Sequence, residues 1–288
     1  MAELIAKIKY YITIPLLILA FLTTPNAQST DSAELIGTDM FVFDKALVMG
    51  QGITTDGEYY YTSGSLAAVK ITALAKHTVD GMETVITNND PLPMECWKRG
   101  NNHIGGISYY NGKIYAPVEG GDEVYACIVV YDAETLEHTG EVYDLPNELY
   151  PDGVPWCAVD PDTGYLYASV WDDAEVIRVY DVNDGMKHIK DIELTGIGII
   201  DRIQGGEFYN GTLYLSYDIK DNGKYKNIMS VDIETGEVKL AAERNVGSEN
   251  IEAEGMTFTE GEDGPVLTVL DYNKAIGVFV HHYKLTDM

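Results

Sequence analysis

The chain has 288 residues, 45% of them hydrophobic, which is enough to bury a sizeable core. Its formal net charge is −27 at pH 7, so it repels polyanions, and we expect neither nucleic acid nor an anionic lipid surface as a partner. The acidity either keeps a tyrosine-rich surface soluble or attracts a cationic ligand or metal.

The first 30 residues have the pattern of an export signal. Lys7 and Lys9 precede an apolar run at 10–22, and small or polar residues follow it. The run is shorter than the roughly 20 residues that a membrane-spanning helix needs. We therefore expect 1–30 to be a signal peptide and the protein to be secreted or extracytoplasmic. The alternative is an uncleaved N-terminal anchor, with the protein facing outward, as its only membrane contact.

After a polar lead-in at 31–39, a strand–turn–strand pattern recurs about every 50 residues. The clearest copy is 103–115, where an Asn-Gly turn at 111–112 separates two strands. A fixed period of this size, built from hairpins, is typical of a β-propeller or another repeat array. The other copies begin near Gln51, Trp156, Gln204 and Glu254.

The segments between these hairpins add two further strands to the repeats. The turn at 232–236, Asp-Ile-Glu-Thr-Gly, is typical, because Asp caps the turn and Gly supplies a positive φ. No stretch has sustained helical periodicity. We predict an all-β chain with a single five-bladed β-propeller at 40–288 and four strands per blade. The irregular stretch at 76–102 could hold a weak additional strand, which leaves six blades as the alternative.

The two ends of the propeller are predicted to pair. An N-terminal strand within 40–49 precedes the first repeat, and the alternating strand at 276–285 has no successor. If the N-terminal strand completes the last blade, no edge is left to template aggregation. We expect the protein to be a monomer.

The candidate site follows from propeller geometry, in which the first strand of each blade lines the central channel and its N-terminal end reaches one rim. We expect a small polar ligand or an exported protein partner to bind there. The repeat alignment predicts six ligand-binding residues at or beside these positions: Gln51, Asn102, His103, Trp156, Arg202 and Gln204.

Three residues carry the chemistry if the protein is an enzyme. Glu254, at the throat of the channel, could hold a divalent cation such as Ca²⁺ or act as a general base. Asp201 is the second predicted metal ligand, and His103 is predicted to move protons together with Glu254. The structural alternatives are a solvated acid on an acidic rim for Glu254 and a turn hydrogen bond for His103. For Trp156 the alternative to a stacking wall is packing between blades.

The three cysteines are too few for a disulfide scaffold. Cys96 and Cys127 could pair, but their spacing does not decide it. No base is placed beside Cys157 in sequence, so we expect a buried and inert thiol there.

The repeats resemble those of the lactonase-like, quinoprotein-like and strictosidine-synthase-like propellers over nearly the whole mature chain. The segment Gln51-Gly52-Ile53 with 60–64 is similar to the opening blade of the five-bladed glutaminyl cyclotransferases, whose catalytic Glu stands where this chain has Tyr61 or a neighbouring Tyr. The segment 254–257, Glu-Gly-Met-Thr, resembles an element of phytase-like and esterase-like propellers, whose acids often bind calcium.

Two functions are consistent with these residues. The first is an exported propeller that binds a small polar ligand or a protein at its central face. The second is a cation-dependent hydrolase of lactonase or esterase type, or a diverged glutaminyl cyclotransferase. Gln51, Trp156 and Gln204 stand where an ion-binding propeller would present hard oxygen ligands, and this favours binding.

Overall fold

The computed structural model describes residues 30, 32–42, 49–66, 71–120, 125–196, 200–217, 227–244, 246, 251–273 and 277–286. These residues form five β-sheets, each built on antiparallel pairs of strands that follow one another in the chain. The prediction of an all-β chain with five four-stranded blades is confirmed.

The last blade contains both ends of the described chain. Its strands are the N-terminal β1 (Ala33–Val42) and the C-terminal β20 (Ile251–Gly261), β21 (Gly264–Asn273) and β22 (Gly277–Leu285). Ala33 pairs with Leu285 and Val42 pairs with Gly277, so closure by the N-terminal strand is confirmed. The strand begins at Ala33 and therefore includes most of the stretch predicted as a polar lead-in.

Blades 1 and 2 follow the predicted hairpins. Blade 1 consists of β2 (Gly52–Thr55), β3 (Tyr59–Leu66), β4 (Ile71–Thr78) and β5 (Thr84–Asn88). In blade 2 the inner strand has two pieces, β6 (His103–Ile104) and β7 (Ser108–Tyr110), followed by β8 (Lys113–Glu119), β9 (Cys127–Asp132) and β10 (His138–Asp144). A six-residue helix, α1 (Met94–Arg99), lies between the blades. The six-bladed alternative is wrong, since this helix and β5 fill the stretch that suggested it.

Blades 3 and 4 complete the ring. Blade 3 consists of β11 (Cys157–Val159), β12 (Tyr165–Ala168), β13 (Val176–Asp181) and β14 (Lys187–Glu193). Blade 4 consists of β16 (Ile203–Tyr209), β17 (Thr212–Tyr217), β18 (Ile228–Val231) and β19 (Glu237–Ala242), with a short β15 (Thr195–Gly196) parallel to β19.

Hydrophobic side chains fill the interfaces between neighbouring blades. Successive residues of a strand point to opposite faces, so Tyr61 packs with blade 2 whereas Tyr60 packs with blade 5. Five such clusters each join two neighbouring blades, including blade 5 with blade 1. Each blade therefore buries its two faces against its neighbours, and the ring is closed.

Glycines occupy the middle of the ring, where Gly106, Gly205 and Gly255 form what we call the glycine centre. A Cβ atom on Gly255 would lie 2.5 Å from the Ile53 nitrogen, and one on Gly106 would lie 2.5 Å from the Gln204 oxygen. These neighbours are backbone atoms that cannot swing away. The repeated glycines are therefore explained by direct contact between the innermost strands, not by space for a ligand beside the backbone.

The predicted signal peptide lies outside the described residues, except for Thr30. In the part of the chain that the structure covers, no helix combines the length and the apolar character that crossing a membrane requires.

Candidate functional site

Four polar side chains from blades 1, 2 and 5 meet at the end of the ring where the innermost strands begin. We call Gln51, His103, Glu119 and Glu254 the central site. Gln51 directly precedes β2, and His103 opens β6. Glu119 ends β8 and pairs with His103 across the hairpin. The structure thus brings together three residues predicted from the repeats and adds Glu119.

Gln51 joins the two sides of the central site through its amide. Its Oε1 lies 2.5 Å from His103 Nε2, while its Nε2 donates to the Gly50 carbonyl at 2.9 Å and lies 3.5 Å from Glu254 Oε1. Both contacts of Nε2 are acceptors, which determines the orientation of the amide. Oε1 must then accept, so the proton between Gln51 and His103 belongs to the histidine Nε2.

The other ring nitrogen of His103 faces a carboxylate. His103 Nδ1 lies 3.3 Å from Glu119 Oε1, and the two side chains are 23% and 16% exposed. Because Nε2 carries the proton that Gln51 accepts, Nδ1 is the ring nitrogen that faces the Glu119 carboxylate.

Glu254 reaches the central site because β20 is irregular at that point. The pairing of β20 with β21 shifts between Ala253 and Met256, and the freed Gly255 N–H donates to the Gln51 carbonyl at 2.7 Å. The carbonyl of Glu254 accepts from the Ser216 hydroxyl. With a side chain only 2% exposed, Glu254 is a buried carboxylate placed by main-chain contacts of three blades.

The remaining predicted ligand-binding residues have different surroundings. Asn102 is half-buried beside the central site, and its N–H donates to the Glu119 carbonyl at 3.1 Å. Gln204 is half-buried in β16, next to the glycine centre. Trp156 is fully buried in the cluster between blades 3 and 4, and its Nε1 donates to Ser169 at 2.9 Å. Trp156 is thus a packing residue in this structure and presents no free face to a ligand.

Arg202, the last of the predicted ligand-binding residues, forms an ion pair with Glu252. Its backbone has a positive φ of 57° and donates to the Trp171 carbonyl at 2.7 Å. The guanidinium carbon lies 5.1 Å from the centre of the Trp171 ring, which is within the range of a cation–π contact. Arg202 therefore packs against the half-buried Trp171.

The acids beside Asp201 differ from the one that the sequence predicted, which was Glu254. Its carboxylate and those of Asp172 and Asp173 have oxygens within 4.8 Å of one another, and the Asp173 N–H donates to Asp201 Oδ1 at 3.1 Å. Over the described ranges, Glu254 is not a member of this group. If each carboxylate supplies one oxygen, carbonyl or water oxygens would have to complete the six to eight that Ca²⁺ takes. A calcium site at Glu254 and Asp201 stays a prediction.

Another acid, Glu207, was not predicted from the sequence and lies in β16. Its carboxylate accepts from the Thr54 and Thr257 hydroxyls at 3.1 and 3.2 Å and from the Phe208 N–H at 3.1 Å. Burial raises the pKa of Glu207 to about 7, although these hydrogen bonds partly offset it. The strand alternation could have indicated this residue, since Glu207 follows Gly205 by two positions and shares its face.

Tyr61 is one of the tyrosines that the resemblance to glutaminyl cyclotransferases would place at the position of their catalytic Glu, and it pairs with Thr54 in blade 1. Its hydroxyl donates to Asp56 at 2.7 Å in the turn between β2 and β3, and its ring stacks on Tyr109. The position therefore contributes to packing between blades 1 and 2.

The fold and these contacts define a five-bladed propeller with a polar site at its centre. No protein-family model and no curated protein sequence matches the chain. Solved structures do match. The GH43_1 enzyme from Xanthomonas citri complexed with xylose is 14% identical, with a TM-score of 0.54 and coverage of 92% of this chain and 91% of that one.

Two further structures share the fold over part of their own length. The exo-β-1,3-galactanase 1,3Gal43A from Clostridium thermocellum is 13% identical, with a TM-score of 0.54, and 86% of this chain matches 61% of that one. The tail fiber of Staphylococcus aureus phage P68 is 17% identical, with a TM-score of 0.55, and 87% of this chain matches about half, 52%, of the fiber chain. These similarities support the propeller fold but not the lactonase-like or quinoprotein-like groups.

Proposed function

We propose that the protein binds a small, neutral ligand rich in hydroxyl groups at the central site. The observation that carries this proposal is the hydrogen-bonded chain from Glu254 through Gln51 to His103, with Glu119 beyond it. Side chains from three blades hold one another in place, and a polar site fixed in this way is ready to bind without reordering.

The charge of the central site favours a neutral ligand over an anion. Two carboxylates, Glu119 and Glu254, outweigh the single positive charge that His103 can carry, so a phosphate or carboxylate would be repelled. A hydroxyl group both donates and accepts, and it can therefore pair with a carboxylate, an amide or an imidazole. Among solved structures with this fold, one is complexed with xylose and another is an exo-β-1,3-galactanase, which is consistent with a sugar as ligand.

The test is calorimetric titration of the folded protein with a panel of monosaccharides, short oligosaccharides and polyols, and with amines and Ca²⁺ as competitors for the same face. We expect a sugar or polyol to bind, and His103→Ala and Gln51→Ala to weaken binding at least tenfold. His188→Ala is the matched control, because His188 is exposed and pairs with Asp191 on an outer strand. Binding of an amine or Ca²⁺ in place of every polyol would contradict the proposal.

A hydrolytic enzyme is the second candidate, favoured by one observation. Glu254 is a nearly fully buried carboxylate, and a single amide joins it to a histidine, which is an arrangement suited to acid–base catalysis. A screen of lactones, esters, aryl glycosides and peptides with N-terminal glutamine tests it. Glu254→Gln should abolish any turnover, whereas Glu260→Gln, an exposed acid at the far end of β20, should leave it unchanged.

Export of the protein belongs to the proposal as well. It rests on the pattern of 1–30, with two lysines followed by a short apolar run. N-terminal sequencing of the protein from its native compartment would show a start near residue 28 if the signal is removed. An intact N-terminus in a membrane fraction would favour the anchored alternative.

A further inference from the structure

Two cysteines from separate segments, neither of them part of the central site, meet at α1. Cys96 lies in α1 and Cys127 opens β9, and both are fully buried. Arg99 Nη2 lies 3.8 Å from the Cys96 sulfur and 4.0 Å from the Cys127 sulfur. Both sulfurs belong to the hydrophobic cluster between blades 1 and 2. One guanidinium therefore faces a contiguous pair of thiols.

The surroundings make the two thiols unequal. The hydrogen bond from Cys127 and the charge of Arg99 outweigh burial and lower the pKa of Cys96 to about 7, while the same hydrogen bond and burial raise the pKa of Cys127 well above its usual value. Arg99 is itself held by an ion pair with Asp144. Cys96 is thus the more acidic thiol of the pair, and Cys127 is the thiol that keeps its proton.

We propose that Cys96 and Cys127 are a redox-active dithiol that closes to a disulfide by exchange with an external disulfide, either a small molecule such as oxidised glutathione or a protein oxidant. The Cys96 thiolate attacks one sulfur of the oxidant, whose S–S bond breaks and releases one thiolate. Cys127 then gives up its proton and attacks the Cys96 sulfur of the mixed disulfide. The Cys96–Cys127 bond forms and a second thiol leaves, so two protein thiols are oxidised and one disulfide is reduced to two thiols.

The connection that carries Cys96 is built to open locally. Helix α1 has six residues, its N-cap Pro93 makes no side-chain cap hydrogen bond, and Met94 at its start is 67% exposed. A helix of this length contributes little stability of its own, so opening this segment costs less than unfolding the blades. A 330 Å³ cavity lined partly by Arg99, Tyr125 and Asp144 lies beside it, so an oxidant in this cavity would be separated from the thiols by Arg99.

Oxidation would tie α1 to blade 2 immediately before the central site. From Cys96 the chain runs through Asn101, whose side-chain amide donates to the Tyr125 carbonyl at 2.7 Å, to His103. A covalent bond between Cys96 and β9 restricts this short segment, so the oxidised form holds His103 more firmly. This consequence rests on the proposed function of the central site, whereas formation of the disulfide does not.

The experiment treats the folded, full-length reduced protein with oxidised glutathione at pH 7. Thiols are then counted after denaturation in acid, and peptides are mapped by mass spectrometry without reduction. The thiol count should fall from three to one, with a peptide that links Cys96 to Cys127. Cys157→Ser should form the same link, since Cys157 is fully buried and its thiol donates to the Tyr115 carbonyl at 3.4 Å. Cys127→Ser should instead keep glutathione attached to Cys96.

The rate of disulfide closure tests the role of Arg99, because two buried thiols without a neighbouring cation would not depend on it. Arg99→Gln should slow closure about tenfold at pH 7, because one pKa unit changes the thiolate fraction by up to that factor, whereas Arg99→Lys should retain most of the rate. Circular dichroism verifies that both variants fold. The proposal would be overturned if the wild type still had three thiols after treatment with oxidised glutathione, or if glutathione stayed on Cys96 while Cys127 was present. Either result leaves the ligand-binding test of the central site unaffected.

Discussion

Two of the histidines that contact carboxylates, His103 and His281, have different surroundings. His103 lies between Gln51 and Glu119 and is partly exposed. His281, in blade 5, contacts Asp271 at 2.5 Å, and Asp271 also pairs with Arg244; all three side chains are buried. We call Arg244, Asp271 and His281 the buried charge cluster. One histidine sits among polar groups at the ring centre and the other inside a neutralised ion pair.

The surroundings of the two histidines show that His103 belongs to a polar site, whereas His281 belongs to a buried ion pair that is part of the structure of blade 5. Burial alone would raise the pKa of Asp271, but Arg244 and His281 outweigh it and hold the pKa below its usual value. The charge is therefore kept and compensated inside the blade. At the central site the carboxylates face an amide and an imidazole, so their hydrogen-bonding capacity can be shared with a ligand. The following four variants test this contrast, from the largest expected effect to the smallest.

Removal of the cation from the buried charge cluster should cause the largest loss of stability. Arg244→Met leaves Asp271 charged and buried without its partner, and breaking a buried pair in this way costs about 3–5 kcal/mol. Urea unfolding at pH 7 measures it. The control is Lys284→Met in the same blade, whose partner Asp263 is 80% exposed, so that loss should stay below about 1 kcal/mol. Equal losses in the two variants would contradict the assignment.

Glu207 accepts hydrogen bonds from two hydroxyl groups, and it should make stability fall as pH rises. Its pKa is raised from 4.5 to about 7 in the folded protein. The folded state therefore binds more protons than the unfolded state between these values, and the free energy of unfolding decreases across this window, by up to about 3 kcal/mol. Glu207→Gln should remove this pH dependence and be more stable than the wild type at pH 8. Unchanged dependence between pH 5 and 8 would rule out Glu207 as its source.

Gly255→Ala should show that main-chain contact places Glu254. The added Cβ would lie 2.5 Å from the Ile53 nitrogen, and relief of such a clash costs about 1–3 kcal/mol. Gly37→Ala in β1 is the control, because its Cβ would meet only His282 at 3.4 Å. Denaturant unfolding of both proteins gives the comparison, and a Gly255→Ala protein as stable as the control would mean that the ring centre can relax.

His103→Ala should have the smallest effect on the free energy of unfolding, about 1 kcal/mol or less, because the His103 side chain is partly exposed. The same variant should bind the ligand more weakly, whereas the main effect of His281→Ala should be a lower free energy of unfolding. Thermal unfolding and calorimetric titration, run on both variants, separate the two effects. A His103 variant that unfolds as readily as the His281 variant would make the central site a structural element as well.

Much of the fold was predictable because it is repeated. The period and the hairpin turns predicted five blades and the N-terminal closure. The start of β1 was not predicted, because Glu34, Gly37 and Asp39 are not typical strand residues. Pairing with β22 makes this segment a strand. Helix α1 was also missed, because six residues show no periodicity and packing of Cys96 holds them.

The site was predictable only where it follows the repeat. Gln51, His103 and Glu254 occupy equivalent positions in three blades and meet as expected. Trp156 is equivalent in sequence but packs between blades, because a strand presents neighbouring residues to opposite faces. Glu119 lies on the second strand of its blade, and only the pairing register from the Asn-Gly turn brings it opposite His103.

The glycine centre brings the described innermost strands into direct contact. Backbone of blades 4 and 5 approaches at Gly205 and Gly255, and Gly106 of blade 2 lies against Gln204 of blade 4. A ligand at the proposed central site would therefore lie close to main chain that leaves no room for an added side chain.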